Sequence, residues 1–134
     1  MSNVKWNMSL VDLGEFERLT EISPYNLINN VNRYAAIMLK DLNVEGLRML
    51  ITQGVGLKYC VPIALSRLKK DILAEGDFYP GDLFMAVADL NEWEELTNEK
   101  KIFLEIILEN KIAILDNKLD SRLNVQFQTL ITNS

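Results

Sequence analysis

Apolar positions along the chain recur at steps of three and four, the period of a helix that buries one face. Leu27, Ile28, Val31, Ala35, Met38 and Leu39 form one such stripe and predict a helix near residues 25–40. Pro24 suits the first turn of that helix, where a missing amide donor is harmless, and Ser23 is placed to cap it. A second, short helix is expected from about Val44 to Gln53, capped by Asn43 and buried through Val44, Leu47, Leu50 and Ile51. Gly54 supplies its stop, because glycine accepts the left-handed conformation found there. A third helix reads from about Leu57 to Asp71 through Tyr59, Val61, Ile63, Ala64, Leu65 and Leu68. Pro62 is expected in roughly its first turn, where proline does least harm. The near-continuous apolar run from Cys60 to Leu65 marks this helix as covered on several sides.

A fourth helix is expected to begin near Pro80 and to carry Leu83, Phe84, Val87 and Leu90. Asn91-Glu92-Trp93 opens a short turn, after which Asn98 is placed to cap a long helix burying Ile102, Phe103, Ile106, Ile107, Leu108 and Ile112. The tail from Lys118 to Ser134 is open: Val125-Gln126-Phe127-Gln128-Thr129 alternates like a strand, yet a lone strand lacks a partner and a frayed helix fits as well. The pattern as a whole predicts an all-α fold, a compact single-domain bundle of about five to seven helices spanning residues 1–134.

Composition narrows the class. A chain of 134 residues fits one domain, and 49% hydrophobic with 25% charged residues is ordinary for a globular protein. Cys60 is the only cysteine, so no intramolecular disulfide can form, which fits a reducing cytoplasm. The N-terminus shows no signal-peptide pattern, and no apolar run is long enough for a membrane span, so no membrane partner is expected. Nineteen acidic against fourteen basic residues give a net charge of −5. Nucleic-acid binders usually carry the opposite sign, so a basic protein is the better-matched partner. Oligomeric state is not readable, and a monomer is the default.

Several chemistries are missing. The chain has no histidine, which removes the commonest general base and the commonest metal ligand. Cys60 lies in an apolar run and reads as core filler, so no catalytic residue, metal ligand set or cofactor site is expected. Gly54-Val55-Gly56 lacks the preceding strand and third glycine of a dinucleotide fingerprint. The most distinctive segment is Glu75-Gly76-Asp77-Phe78-Tyr79-Pro80-Gly81-Asp82, three carboxylates and two aromatics on a tight loop. One reading makes Glu75, Asp77 and Asp82 a carboxylate metal site or a small enzymatic centre. The other makes the loop structural: Asp77 caps the coming helix or turn, Pro80 starts the helix, Gly76 and Gly81 give backbone freedom, and Phe78 and Tyr79 pin the loop to the core.

Charge is also unevenly placed. From Asp71 to Glu99 there are nine acidic residues (Asp71, Glu75, Asp77, Asp82, Asp89, Glu92, Glu94, Glu95 and Glu99) and no lysine or arginine. Such a run is either a solvated face or a docking surface for a basic partner. Trp93 in its midst is either an interface anchor or a plug in the bundle.

Two blocks carry a family resemblance. The run from Leu47 to Leu65, LRMLITQGVGLKYCVPIAL, and the block from Leu73 to Leu83, LAEGDFYPGDL, match in order and spacing the signature of contact-dependent growth inhibition immunity proteins. The resemblance is strongest over residues 25–95 and does not cover the chain from about Asn98 onward. Lys40-Asp41-Leu42-Asn43 is a terse connector where family members often have an acid-rich segment, and Cys60 stands where a larger aliphatic is common. The resemblance implies a bacterial cytoplasmic protein that binds the C-terminal toxin domain, often a nuclease, of a cell-surface exoprotein and so prevents self-intoxication. It implies binding and no catalysis. Residues shared across the family, namely Gln53, Gly56, Pro62, Gly76, Tyr79, Pro80 and Gly81, read as scaffold. Partner choice needs positions free to vary. Asp89, Glu92, Glu94, Glu95 and Glu99, outside the matched blocks, are therefore the expected toxin-binding residues; Trp93 and the loop acids Glu75, Asp77 and Asp82 are expected to join them.

Overall fold

The structure, a computed structural model, describes residues 3–123 and 125–132. Met1, Ser2, Asn124, Asn133 and Ser134, on which parts of the N-terminal and tail readings fall, lie outside the described residues. After the single turn α1 (Asn3–Trp6) come, among the described residues, seven longer helices: α2 (Asn26–Ala35), α3 (Val44–Thr52), α4 (Leu57–Lys70), α5 (Asp82–Ala88), α6 (Thr97–Glu109), α7 (Lys111–Asp116) and α8 (Val125–Thr132). Short 3-10 turns at Leu39–Asp41, Trp93–Glu95 and Asp120–Arg122 link them. Among the described residues extended pairing is limited to two isolated bridges, Ser9 with Met38 and Glu75 with Pro80. The fold is the all-α bundle that the periodicity predicts, and the alternating tail segment is helix.

Helix α2 is shorter than its stripe. Ser23 does not cap it; the Asn29 side chain accepts from the Ser23 amide at 2.8 Å and donates to the Ser23 carbonyl at 2.8 Å. That clamp holds Ser23-Pro24 as a turn outside the helix, which begins after Tyr25. At the other end Met38 pairs with Ser9, and Leu39 starts a 3-10 turn. Val31, Ala35 and Leu39 consequently reach the core with Tyr34, while Leu27, Ile28 and Met38 stay exposed. A periodic stripe needs a partner surface along its whole length, and here only half of it has one.

Local signals do better around α3 and α4. Asn43 Oδ1 accepts from the Gly46 amide at 2.7 Å, capping α3 as expected. The turn between α3 and α4 is built on Gly54 and Gly56, both left-handed, with φ of +71° and +60°. At Gly56 a Cβ would also stand 2.5 Å from Leu10 Cδ2, so no side chain fits beneath the N-terminal segment. Pro62 lies deeper in α4 than expected, at the sixth helical position. Its missing N–H leaves the carbonyl of Lys58 without a helical partner, and Lys58 is exposed enough for water to take that place.

Helix α4 is central. It packs against α3, α5 and α6, and α8 in turn packs on α6. Helix α6 starts at Thr97 without a side-chain cap, so Asn98 falls inside its first turn. It buries Phe103, Ile106 and Ile107 but leaves Leu108 exposed; Ile112 falls on α7 and is exposed as well. Phe103 is the hub of an aromatic cluster, with Phe84 at 5.4 Å, Trp93 stacked at 5.6 Å and Phe127 edge-on at 5.4 Å between ring centroids. The cluster joins α5, the Trp93–Glu95 turn, α6 and α8, so the C-terminal tail is tied to the core through a ring and not through a strand.

Phe103→Ala should therefore lower stability by about 3–5 kcal/mol, the usual cost of emptying a buried phenylalanine site. Urea unfolding followed by tryptophan fluorescence would measure it. Native-state emission should also shift, because Trp93 loses its stacking partner. A loss under about 1 kcal/mol would mean that the cluster is not the tie between the tail and the bundle.

Candidate functional site

The segment Glu75–Asp82 is held by carboxylates from both of its flanks. Glu45, in the first turn of α3, is buried at 6% exposure, and Arg48 is three residues along the same face. The guanidinium grips the carboxylate with two bonds, Nε to Oε1 at 2.7 Å and Nη2 to Oε2 at 2.6 Å. Glu45 Oε1 also accepts the amide of Asp77 at 3.0 Å. Asp82, the first residue of α5 and likewise buried, accepts the amide of Gly76 on Oδ1 at 2.7 Å and that of Phe78 on Oδ2 at 3.1 Å. Three successive amides, 76 to 78, are thus tied to two buried carboxylates, a backbone concavity of the kind that binds anions. Gly76 is required by proximity: a Cβ there would stand 2.5 Å from Glu45 Oε1 and 3.2 Å from Glu45 Cα. Gly81, with φ of +93°, and Pro80, bridged to Glu75, bring the chain into α5, which begins at Asp82 and not at Pro80.

Electrostatics match the geometry. The bond from Arg48 holds the Glu45 carboxyl below its ordinary value, aided by the Asp77 amide and opposed by burial. Arg48 is raised in return, chiefly by the same bond. Burial alone pushes the Cys60 thiol up to about 12, so it carries almost no thiolate near neutrality.

The roles within the loop differ from those expected. Asp77 caps nothing; its amide is held while its side chain is exposed, and Asp82 does the tethering. Phe78 does not pin the loop to the core. It is 67% exposed and lies with one face beneath the Arg48 guanidinium at 4.5 Å. Tyr79 is half-buried and stacks against Arg122 at 4.7 Å. Glu75, Asp77 and Asp82 are not brought together as one carboxylate group, because Asp82 is buried on two amides while the other two face solvent. Among the described residues no three acidic or cysteine side chains are disposed to hold a metal ion.

The acidic stretch divides in the same way. Trp93 is 7% exposed and belongs to the aromatic cluster, its Nε1 buried without a hydrogen-bond partner. It plugs the bundle, the second of its two expected positions. Asp89, Glu92, Glu94 and Glu95 are exposed, and Glu99 is half-buried in the first turn of α6. Asp89 and Glu92 line a hollow of about 210 Å³ between the ends of α3 and α5, where Thr52, Gln53 and Gly54 form the opposite wall. Glu92 and Gly54 also line the next hollow, with Glu95, Gly56 and a Lys58–Glu15 ion pair of 2.8 Å at its far side. On the other flank Thr52 and Asp89 are shared with a hollow of about 290 Å³ beneath Phe78, Tyr79 and Arg122. The three adjoin as one shallow trough. Asp89, Glu92 and Glu95 lie along it, and Glu94 and Glu99 are not among its lining residues.

Sequence reasoning missed Glu45 and Arg48. The one local signal was their i, i+3 spacing just after a capped helix start; the contact with Asp77 spans 32 residues and leaves no local trace. Compared with known proteins, residues 16–106 match the model of a family described as CDI immunity proteins. No curated protein and no solved structure matches.

Acid titration should expose the role of Glu45. Its folded carboxyl titrates below the ordinary 4.5, so its stabilisation is complete above that pH and is lost as pH falls through the folded value. Glu45→Gln should destabilise the protein near neutral pH by about 3 kcal/mol, because it leaves Arg48 without its charge partner. It should also flatten the loss of stability below pH 4.5. Urea midpoints at about pH 7 and about pH 3 for both proteins test this; parallel pH profiles would show that the pair contributes nothing specific.

Proposed function

The chain belongs to the family of CDI immunity proteins, and from that premise we propose that it binds the C-terminal toxin domain of its cognate exoprotein in the bacterial cytoplasm and blocks it one-to-one. The toxin in this reading is a nuclease with a basic substrate cleft. The observation that carries the reading is the trough: Asp89, Glu92 and Glu95 are exposed along one shallow depression, within a stretch from Asp71 to Glu99 that has no lysine or arginine. Carboxylates so placed can occupy the positions that phosphates take in a basic cleft. Glu94 and Glu99, outside the trough's lining, act in this reading as outer steering charges, as do Glu75 and Asp77, exposed on the loop.

Binding rather than catalysis is supported by the chemistry at hand. The chain has no histidine, and Cys60 is buried with its thiol pushed up to about 12. The whole chain acts as one immunity domain in this reading, with its single core supporting the trough.

Charge complementarity acts mostly on the rate of encounter, raising association from ~10⁵–10⁶ towards ~10⁸ M⁻¹s⁻¹ at low salt. The test is stopped-flow association with the cognate toxin domain, for the native protein and for Glu92→Lys with Glu95→Lys. The double variant should associate at least about tenfold more slowly at low salt and show a shallower salt dependence. Its thermal melting should match the native protein, since both positions are exposed. Unchanged association at every salt concentration would place the docking face elsewhere.

A further inference from the structure

The loop above the trough is built more rigidly than a surface turn requires. Amides 76, 77 and 78 are each bonded to a carboxylate, and both carboxylates are buried. Buried acids are rare and costly unless paired, and here two are directed at a loop whose tip is in solvent. What they hold in place is Phe78. Arg48 covers one face of its ring at 4.5 Å, and with the side chain 67% exposed the other face is open. An aromatic ring on a fixed backbone loses little freedom when it is bound. Its π-face attracts cations, and Arg48 already demonstrates that geometry on the covered side. Glu75 and Asp77 are exposed on the same loop and add negative charge to it. Phe78 also lines the trough itself, in the hollow that it shares with Asp89, Arg48 and Arg122.

We infer that Phe78 is the anchor of the partner interface, and that an arginine or lysine of the basic toxin domain stacks on its open face. This rests on the proposed function, in which the partner is a basic protein docked along the trough. The two parts act on different rates. Trough carboxylates steer encounter, whereas a desolvated aromatic anchor governs how slowly the complex separates. The loop thereby changes role: the segment that reads as family scaffold presents a contact residue, and its neighbours Gly76, Pro80 and Gly81 serve to aim it.

Dissociation kinetics of the full chain from the purified cognate toxin domain test the inference, using Phe78→Ala, Phe78→Leu and Phe78→Trp next to Glu92→Lys/Glu95→Lys. Thermal melting confirms that each variant is folded. Phe78→Ala should dissociate at least about tenfold faster, with its association rate and salt dependence unchanged. Phe78→Leu keeps apolar bulk but no π-face and should remain roughly fivefold impaired, while Phe78→Trp should hold the complex as well as the native residue. Native dissociation by Phe78→Leu would overturn the stacked cation. Native dissociation by Phe78→Ala, with association still slowed in the double charge reversal, would overturn the anchor and leave the trough reading intact. Impaired Phe78→Ala beside an unaffected charge reversal would keep the anchor and remove the steering role of the trough.

Discussion

One buried carboxylate organises the loop of residues 75–82 and the trough beside it. Glu45 lies in the first turn of α3, where the helix dipole favours an acid, and its two oxygens are taken up by Arg48 and the Asp77 amide. An unpaired carboxylate at that depth would be strongly destabilising, so the pair and the loop amide form a set that must be satisfied together. Asp82 completes the set from the other flank. Because these contacts fix the path of residues 75 to 82, they also fix where α5 starts and where it delivers Asp89. The trough therefore depends on a polar knot as much as on the apolar core.

The core does a different job. Phe103 gathers Phe84, Trp93 and Phe127, which ties the acidic connector and the C-terminal helix to the centre of the bundle. Trp93 is what turns the connector into a shaped surface. By burying its indole it leaves neighbours Glu92 and Glu95 pointing to solvent, two carboxylates along one depression. The density of acids there is a property of composition, but their alignment is a property of one buried side chain among them.

Family membership and geometry meet in the middle of the chain. The family match covers residues 16–106 and includes the Glu45–Arg48 pair, the loop and the trough acids. The helices after it, α7 and α8, lie outside the match; α8 still contributes Phe127 to the core, and the turn between them sends Arg122 to the Tyr79 face. The C-terminal third is thus structurally coupled to the loop, whatever its own sequence lineage.

The sequence by itself determined the helical class, the Asn43 cap, the Gly54 stop, the covering of Cys60 and the acidic window. Each of these rests on interactions within about one turn of chain or on simple composition, so each leaves a local trace. The tertiary structure alone decided which half of the 27–39 stripe is buried, because exposure depends on what another helix brings alongside. It alone turned Asp82 inward and left Phe78 outside, against the expected roles of both, and it chose the plug over the anchor as the position of Trp93. It also paired Glu45 with an amide 32 residues away, and no spacing rule reaches that far. The physical reason is common to these cases. Periodicity states that a side chain has a preferred face, whereas its partner, and with it the choice between core, tether and contact surface, exists only after the helices pack.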